Sequence, residues 1–267
     1  MAVFSELVTP PALTLSGLFI SNNPTTPNTK INIWPGIARD FYNRVLINLG
    51  NFLGEGTPTV SPNSTTVIDV TKNGINGLDQ GTLQPNTVYA VSAIGDSTGR
   101  NPAAAICCKE VNDPVMPYGY DCVAALGVMI TDASAHFLPC YYLGVYDRTF
   151  FYATPQPTSV INGNATTYTS IDLSSLIWLA LSGANIYVRI EYTPASAGNS
   201  VYLQPNGSSS DMIVIPGPVA GQKIVNYVWM PSTQDVPGFG VPKINYKVTN
   251  GSDSVSIYIA GFKSITF

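Results

Sequence analysis

Charge is scarce in this chain. Only 10% of its 267 residues are Asp, Glu, Lys or Arg, against roughly 25% in ordinary soluble domains. The net charge is −4, and the 12 Lys and Arg residues are scattered. Without a basic cluster there is no groove for a phosphate backbone, so nucleic acid is excluded as a partner. Long hydrophobic runs are also missing. The longest, at 123–130 and 176–181, fall far below the ~20 residues a spanning helix needs, and no membrane association is expected. Ahead of the apolar stretch 12–20 there is no basic region, and Glu6 stands where a Lys would be expected. That pattern does not read as a secretory signal. Histidine occurs once, at position 136, and the four cysteines (Cys107, Cys108, Cys122, Cys140) match no zinc-ribbon or zinc-finger spacing. No metal centre and no cofactor are expected. Neither a heptad nor a fixed-period repeat is present, which argues against a coiled or repetitive β shaft.

Gly, Pro, Asn, Ser and Thr fill the space left by charge, together with 15 Tyr. That mixture suits short strands joined by tight turns. The expected fold is all-β: one or two β-sandwich units of jelly-roll-like type, with an extended N-terminal arm. The arm covers residues 1–30, where Pro, Asn and Thr resist regular structure. A β-rich module follows over 31–153, with strands at 45–49, 65–70, 88–94, 103–109 and 122–131, a short piece at 135–138 and a turn at Ala38-Arg39-Asp40. In the first part of this module, two Asn-Gly signals at Asn73-Gly74 and Asn76-Gly77 lead into the strand at 88 as a strand–turn–strand unit. Pro155 and Pro157 mark a break before a C-terminal sandwich portion at 154–267, itself expected to be continuous with the module or separate from it. Here alternation is cleanest: Ile186, Val188, Ile190 and Tyr192 share one face, and Tyr187, Arg189 and Glu191 the other. The strands 244–248 and 255–259 flank Asn250-Gly251 and read as a hairpin, and 174–181 reads as a helical turn or short helix.

Candidate chemistry is sparse. Gly95-Asp96-Ser97 after Ala93-Ile94 resembles the nucleophile block of SGNH-type esterases. Those enzymes carry the block on an early strand of an α/β fold and need a late Asp-x-x-His. Here Asp132 and His136 are four apart, in mid-chain, and the alternating helices are missing. A serine hydroxyl without a base is a poor nucleophile, so Ser97 reads as part of a turn in which Asp or Ser bonds a backbone N–H. No catalytic residue is assigned and the chain is read as a non-enzyme. His136 reads as a core or interface residue. The cysteines read as small buried hydrophobes. In a strand, Cys107 and Cys108 point to opposite faces and cannot pair with each other, whereas either could face Cys122 across neighbouring strands. The tyrosines suit a saccharide site, but equally strands and subunit interfaces.

One longer pattern remains. Ile33-Trp34-Pro35-Gly36-Ile37-Ala38-Arg39-Asp40 precedes Asn73-Gly74-Ile75-Asn76-Gly77-Leu78-Asp79, Gly81 and Leu83. Thr87-Val88-Tyr89, Ile94-Gly95-Asp96-Ser97-Thr98, Pro102-Ala103-Ala104, Pro117-Tyr118-Gly119-Tyr120-Asp121, Thr131-Asp132 and Phe137-Leu138-Pro139 follow in order. The series, spanning roughly 31–140, resembles a module of tailed-bacteriophage and prophage virion proteins described as tail-fibre, head-fibre or capsid-decoration components. The C-terminal Val255-Ser256-Ile257-Tyr258-Ile259-Ala260-Gly261-Phe262 shares the likeness. The resemblance implies a β-rich structural module without known catalytic residues. The cysteines and the Pro-rich N-terminus depart from the pattern and leave the position in the particle open. The reading is a bacteriophage virion structural protein, assembled in the bacterial host cytoplasm and placed on the capsid surface as a decoration or head-fibre component. The alternative is a tail-fibre or tail-spike protein that binds a host receptor or glycan. An SGNH-type esterase is a remote third. Expected partners are further copies of itself, as a homo-oligomer and by resemblance a trimer, and other virion proteins such as the major capsid or tail protein. Low surface charge favours such burial because little ion desolvation is involved.

Overall fold

The computed structural model of the protein describes residues 15–42, 44–50, 64–109, 114–143, 149–177, 184–234 and 241–264. Every regular element among them is a β-strand, and the fold is all-β, of sandwich type. The chain forms two compact units: Met1–Leu83 with Tyr89–Met129, and Gln84–Val88 with Ile130–Phe267. In this division most of the second unit begins at Ile130. Of the segment 1–30, residues 1–14 lie outside the described residues, and from Leu15 onward the chain already enters strands of the first unit.

In chain order, strands β1 (Leu15–Gly17), β2 (Ile20–Asn22), β3 (Lys30–Ile33), β4 (Gly36–Arg39), β5 (Leu46–Leu49), β6 (Thr66–Asp69), β7 (Gly77–Leu78), β8 (Val88–Gly95), β9 (Ala104–Cys108) and β10 (Cys122–Ile130) make three small sheets. Their orders are β1-β4-β5, β2-β3-β6 and β10-β8-β9-β7. The expected strands at 45–49, 65–70, 88–94, 103–109 and 122–131 are all present within one or two residues. Three local expectations are corrected. Ala38 and Arg39 lie in β4, and the turn comes later, at Phe41 and Tyr42, where the Asp40 carboxylate can collect the N–H groups of Arg44 and Val45 at 2.5 and 2.7 Å. The segment 135–138 is a turn with a single bridge, Thr131 to Phe137, because Ala135 adopts φ +59°. Finally, β7 does not pair with β8. It lies parallel to β9, and β9 separates the two. Asn76 brings this about: at φ +54°, its side-chain oxygen accepts the Ala105 N–H and its own N–H donates to the Ala105 carbonyl.

The second unit holds β11 (Cys140–Leu143), β12 (Thr149–Pro157), β13 (Thr169–Asp172), β14 (Ala184–Thr193), β15 (Ser200–Pro205), β16 (Ile213–Pro216), β17 (Ile224–Pro231), β18 (Thr233–Gln234), β19 (Pro242–Val248) and β20 (Ser254–Ser264). Two five-stranded sheets result, one ordered β11-β12-β20-β14-β17 and the other β13-β19-β15-β16 with β18 on β19. The alternation read along 186–192 holds: Ile186, Val188, Ile190 and Tyr192 are buried. Ile257, Ile259 and Phe262 of β20 and Leu203, Ile244 and Val248 of the other sheet are buried as well. Each such side chain contributes about 1.5–3 kcal/mol on burial.

The expected hairpin at Asn250-Gly251 is not formed. β19 and β20 belong to different sheets, so the turn is a crossover from one to the other. Asp253, 2% exposed, is the reason. Its carboxylate accepts from Ala195 N–H (2.7 Å), Asn199 Nδ2 (2.8 Å), Asn250 N–H (3.0 Å) and the Tyr192 hydroxyl (3.1 Å). These bonds tie the crossover to the 195–199 loop and to β14, where a plain hairpin would leave it between paired strands. Of the expected helical segment 174–181, residues 174–177 form a turn closed by Leu176 and Ile177 N–H on the Leu173 carbonyl. The rest lies outside the described residues.

Candidate binding face on the second unit

The residues that first suggested chemistry serve to hold loops. Asp96 accepts from Thr98 Oγ1 (2.7 Å) and N–H (2.8 Å), from Asn101 Nδ2 (2.9 Å) and N–H (3.0 Å), and from Arg100 N–H (3.1 Å). The Thr98 bonds are the main reason its pKa falls to about 2. Ser97 donates its hydroxyl to Asp121 at 2.5 Å and its N–H to the same carboxylate at 2.7 Å. Those bonds hold Asp121 below the usual carboxylate range, and a carboxylate so stabilised is a weak base. Asn101 Nδ2 also donates to the Gly119 carbonyl, and the Tyr120 hydroxyl donates to the Pro102 carbonyl. The blocks 94–104 and 117–121 thus interlock as one loop clasp in the first unit. Gly119 fits there because a Cβ at that position, φ +86°, would lie 2.6 Å from Asn101 Nδ2.

His136 is about half exposed, which places it outside the core, with Nδ1 3.9 Å from Asp132. Asp132 accepts the Ser134 and His136 N–H groups and so fixes its own turn. The four cysteines are buried and in no disulfide. Cys122 does not neighbour Cys107 or Cys108, since β8 lies between their strands. Burial pushes the Cys122 thiol up to about 11, Cys140 to about 12, and Cys107 upward too. At these three positions burial disfavours the thiolate.

An extended aromatic surface lies on the outer face of the β11-β12-β20-β14-β17 sheet. In a strand every second residue points outward, and the sequence alternation already assigns Tyr187, Arg189 and Glu191 to this side. Register supplies the rest. Tyr141, Phe151, Gly261, Tyr187 and Trp229 are successive partners straight across all five strands. At ~4.8 Å per strand this row is about 19 Å long. Tyr141 stacks on Phe151 (centroids 5.4 Å), and Tyr187 stacks on Trp229 (4.9 Å). Phe151 meets Tyr187 edge-on at 6.0 Å. Gly261 makes that last contact possible, because a Cβ there would lie 2.4 Å from the Phe150 carbonyl and 2.9 Å from the Phe151 ring. Tyr141 and Trp229 remain 45% and 44% exposed.

Two further rows flank the ridge. On one side Leu143, Thr149, Lys263, Asn185 and Pro231 are successive partners. A shallow open groove of about 400 Å³ lies here, lined by Thr149, Asn185, Lys263, Met212, Met230, Pro231 and Trp229. On the other side Pro157, Tyr258, Arg189 and Tyr227 are partners. The Arg189 guanidinium sits 4.9 Å over the Tyr258 ring, and Glu191 pairs with both Arg189 and Lys223. On the opposite sheet, Lys247 lies 4.4 and 4.7 Å from the Tyr168 and Tyr202 rings and 3.6 Å from Asp211. That box is already filled by its own cation.

Sequence reasoning did not assemble this face. Tyr141, Phe151, Tyr187 and Trp229 are spread over 89 positions, and only strand order and register bring them together. The signal within reach was the outward half of the β14 alternation.

No family model and no curated protein matches the chain. Among solved structures it is similar to a carbohydrate-binding module of Cellvibrio mixtus lichenase 5A in complex with cellotriose. That match has 12% identity and a TM-score of 0.23, and covers 46% of this chain and 86% of the module. It is also similar to two Bacillus thuringiensis proteins. One is the mosquito-larvicidal Cry4Aa toxin, with 13% identity, a TM-score of 0.25 and 96% of this chain covered. The other is the insecticidal crystal protein Cry7Ca1, with 11% identity, a TM-score of 0.18 and 94% of this chain covered. The chain spans about half the length of each Bacillus protein, 53% in both cases. Similarity at these TM-scores carries no argument about the fold or the face described above.

Proposed function

We propose that this chain is a structural protein of a bacteriophage particle, placed on the capsid surface as a decoration or head-fibre component, and that it acts through contacts of its β faces. The phage assignment rests on the ordered blocks between residues 31 and 140. One observation supports the structural role: side chains of those blocks that look reactive are engaged in loop geometry. Asp96 closes its own loop, and the Ser97 hydroxyl donates to Asp121 with no histidine interposed. Such an arrangement holds a surface shape and has no activated nucleophile. Low charge and abundant Tyr suit burial against further copies or other virion proteins. We propose a homo-oligomer, a trimer by resemblance, in contact with the major capsid or tail protein.

Antibody labelling of purified virions tests this reading. Label over the head is the expected result. Label at the tail tip would favour the alternative, a tail-fibre component that binds a host receptor. Particles without label would overturn both. Light scattering at micromolar concentration should give a multiple of 28.4 kDa, and a monomer would remove the oligomer from the proposal.

A further inference from the structure

The groove beside Trp229 differs in kind from the rest of the sheet surface. Its wall is an indole with one face covered by Tyr187. Beside it lies the register row Thr149, Lys263 and Asn185, and Met212, Met230 and Pro231 complete the lining. Donors and acceptors therefore lie directly beside an aromatic surface. Asn185 offers both an amide donor and an acceptor, Thr149 a hydroxyl that does either, and Lys263 a donor only. No carboxylate lines the groove among the described residues.

From this we infer that the groove is a saccharide-binding site, taking a pyranose ring against Trp229 with its hydroxyls directed at Asn185 and Thr149. The chemistry of the lining selects that class. A pyranose presents C–H groups on its faces and hydroxyls around its rim. The C–H hydrogens, made positive by neighbouring oxygens, suit the negative face of an aromatic ring. The rim needs donors and acceptors in a plane beside the ring, which the sheet provides because adjacent strands stand only ~4.8 Å apart. A purely apolar ligand would suit Met212, Met230 and Pro231 but would leave Asn185 and Thr149 desolvated and unpaired. A polyanion would find one lysine. The groove is shallow and open, so a single site should bind weakly, on the millimolar scale. Several copies on one particle would raise the apparent affinity without any new contact. The inference concerns the face alone, holds for a head or a tail location, and does not depend on the phage assignment.

The test uses the full chain, isotope-labelled, with methyl glycosides of glucose, galactose, mannose and N-acetylglucosamine at about 100 mM each, well above a millimolar dissociation constant. The three tryptophans, Trp34, Trp178 and Trp229, give three indole N–H resonances. At least one glycoside should shift the Trp229 indole and the Asn185 side-chain amide in a saturable way, and leave Trp34 in place. Saturation-transfer signals from that glycoside should fall at least tenfold in Trp229→Ala and severalfold in Asn185→Ala, with Trp34→Ala unchanged. Trp229→Phe, which retains stacking on Tyr187, guards against loss of the local fold and should bind at an intermediate level. Should no glycoside shift Trp229, or should binding persist in Trp229→Ala, the site is refuted. If the glycosides are silent and Trp229→Ala instead converts an oligomer to monomer, the face is an interface between copies and the saccharide assignment falls. Virion labelling reads a different property, so either result can fail alone.

Discussion

In the first unit β1 to β6 are strands of three or four residues; in the second, β14 has ten and β20 has eleven. The two lengths call for different means of support. A strand of four residues makes few ladder bonds and buries two side chains at most, so side chains must fix the turns between strands. Asp40 and Asn76 do so, holding the N–H groups of Arg44, Val45 and Ala105, and Asp96 and Asp121 do the same at the ends of the longer β8 and β10. A strand of ten residues carries its own register and a continuous buried row, and its other face is left over. In the second unit that leftover face is aromatic. Polar residues in the first unit thus serve the architecture, whereas in the second the architecture displays a surface.

The largest effect should come where the second unit does depend on a polar residue. Asp253→Ala strands four donors beside a 2%-exposed site, and should destabilise that unit by about 3–5 kcal/mol. Chemical denaturation should then show it unfolding before the first. If Asp253→Ala is neutral, the carboxylate does not hold the crossover and the second unit rests on its long strands alone. The same residue gives a pH dependence. Burial pushes the Asp253 carboxyl up, but the Ala195, Asn199 and Asn250 donors and the Tyr192 hydroxyl outweigh it, and the folded pKa is lowered. Stability from this group is present above the unfolded carboxylate value and is lost as pH falls through the folded one. Thermal melts should therefore drop on acidification below about pH 4, and Asp253→Asn should flatten that slope.

A smaller loss is expected from Gly261→Ala, which places a Cβ 2.4 Å from the Phe150 carbonyl. About 1–3 kcal/mol is the usual scale for such overcrowding, and near-UV circular dichroism should lose signal as the Phe151–Tyr187 contact opens. An unchanged near-UV spectrum would show that the glycine has no part in the aromatic row. The smallest effect is Ser97→Ala. Losing the hydroxyl bond to Asp121 should change stability by about 1 kcal/mol or less, and neither protein should hydrolyse simple esters. Ester hydrolysis lost in Ser97→Ala, with folding intact, would overturn the reading of the first unit as pure scaffold.

Several features are legible in the residues alone. Period-2 alternation along 186–192 marks a strand and its two faces, and most strands of the first module stand where β-rich runs meet Gly and Pro. That follows because alternation and turn chemistry are local. Partnership is not local. Asn250-Gly251 looks like a hairpin turn, yet the chain crosses between sheets, since Asp253 collects donors from residues more than fifty positions away. His136 reads as a core or interface residue, and the turn set by Asp132 leaves it about half exposed, outside the core.

The sequence by itself determined the all-β class, the inward row at 186, 188, 190 and 192, and the low proportion of charge. These follow from side-chain chemistry read at fixed spacing. Only the tertiary structure decided that Tyr141, Phe151, Tyr187 and Trp229 form one ridge, that Gly261 leaves room for it, and that Thr149, Lys263 and Asn185 lie beside it. Strand order and register place those residues, and both are set by the packing of the whole unit, which no local pattern encodes.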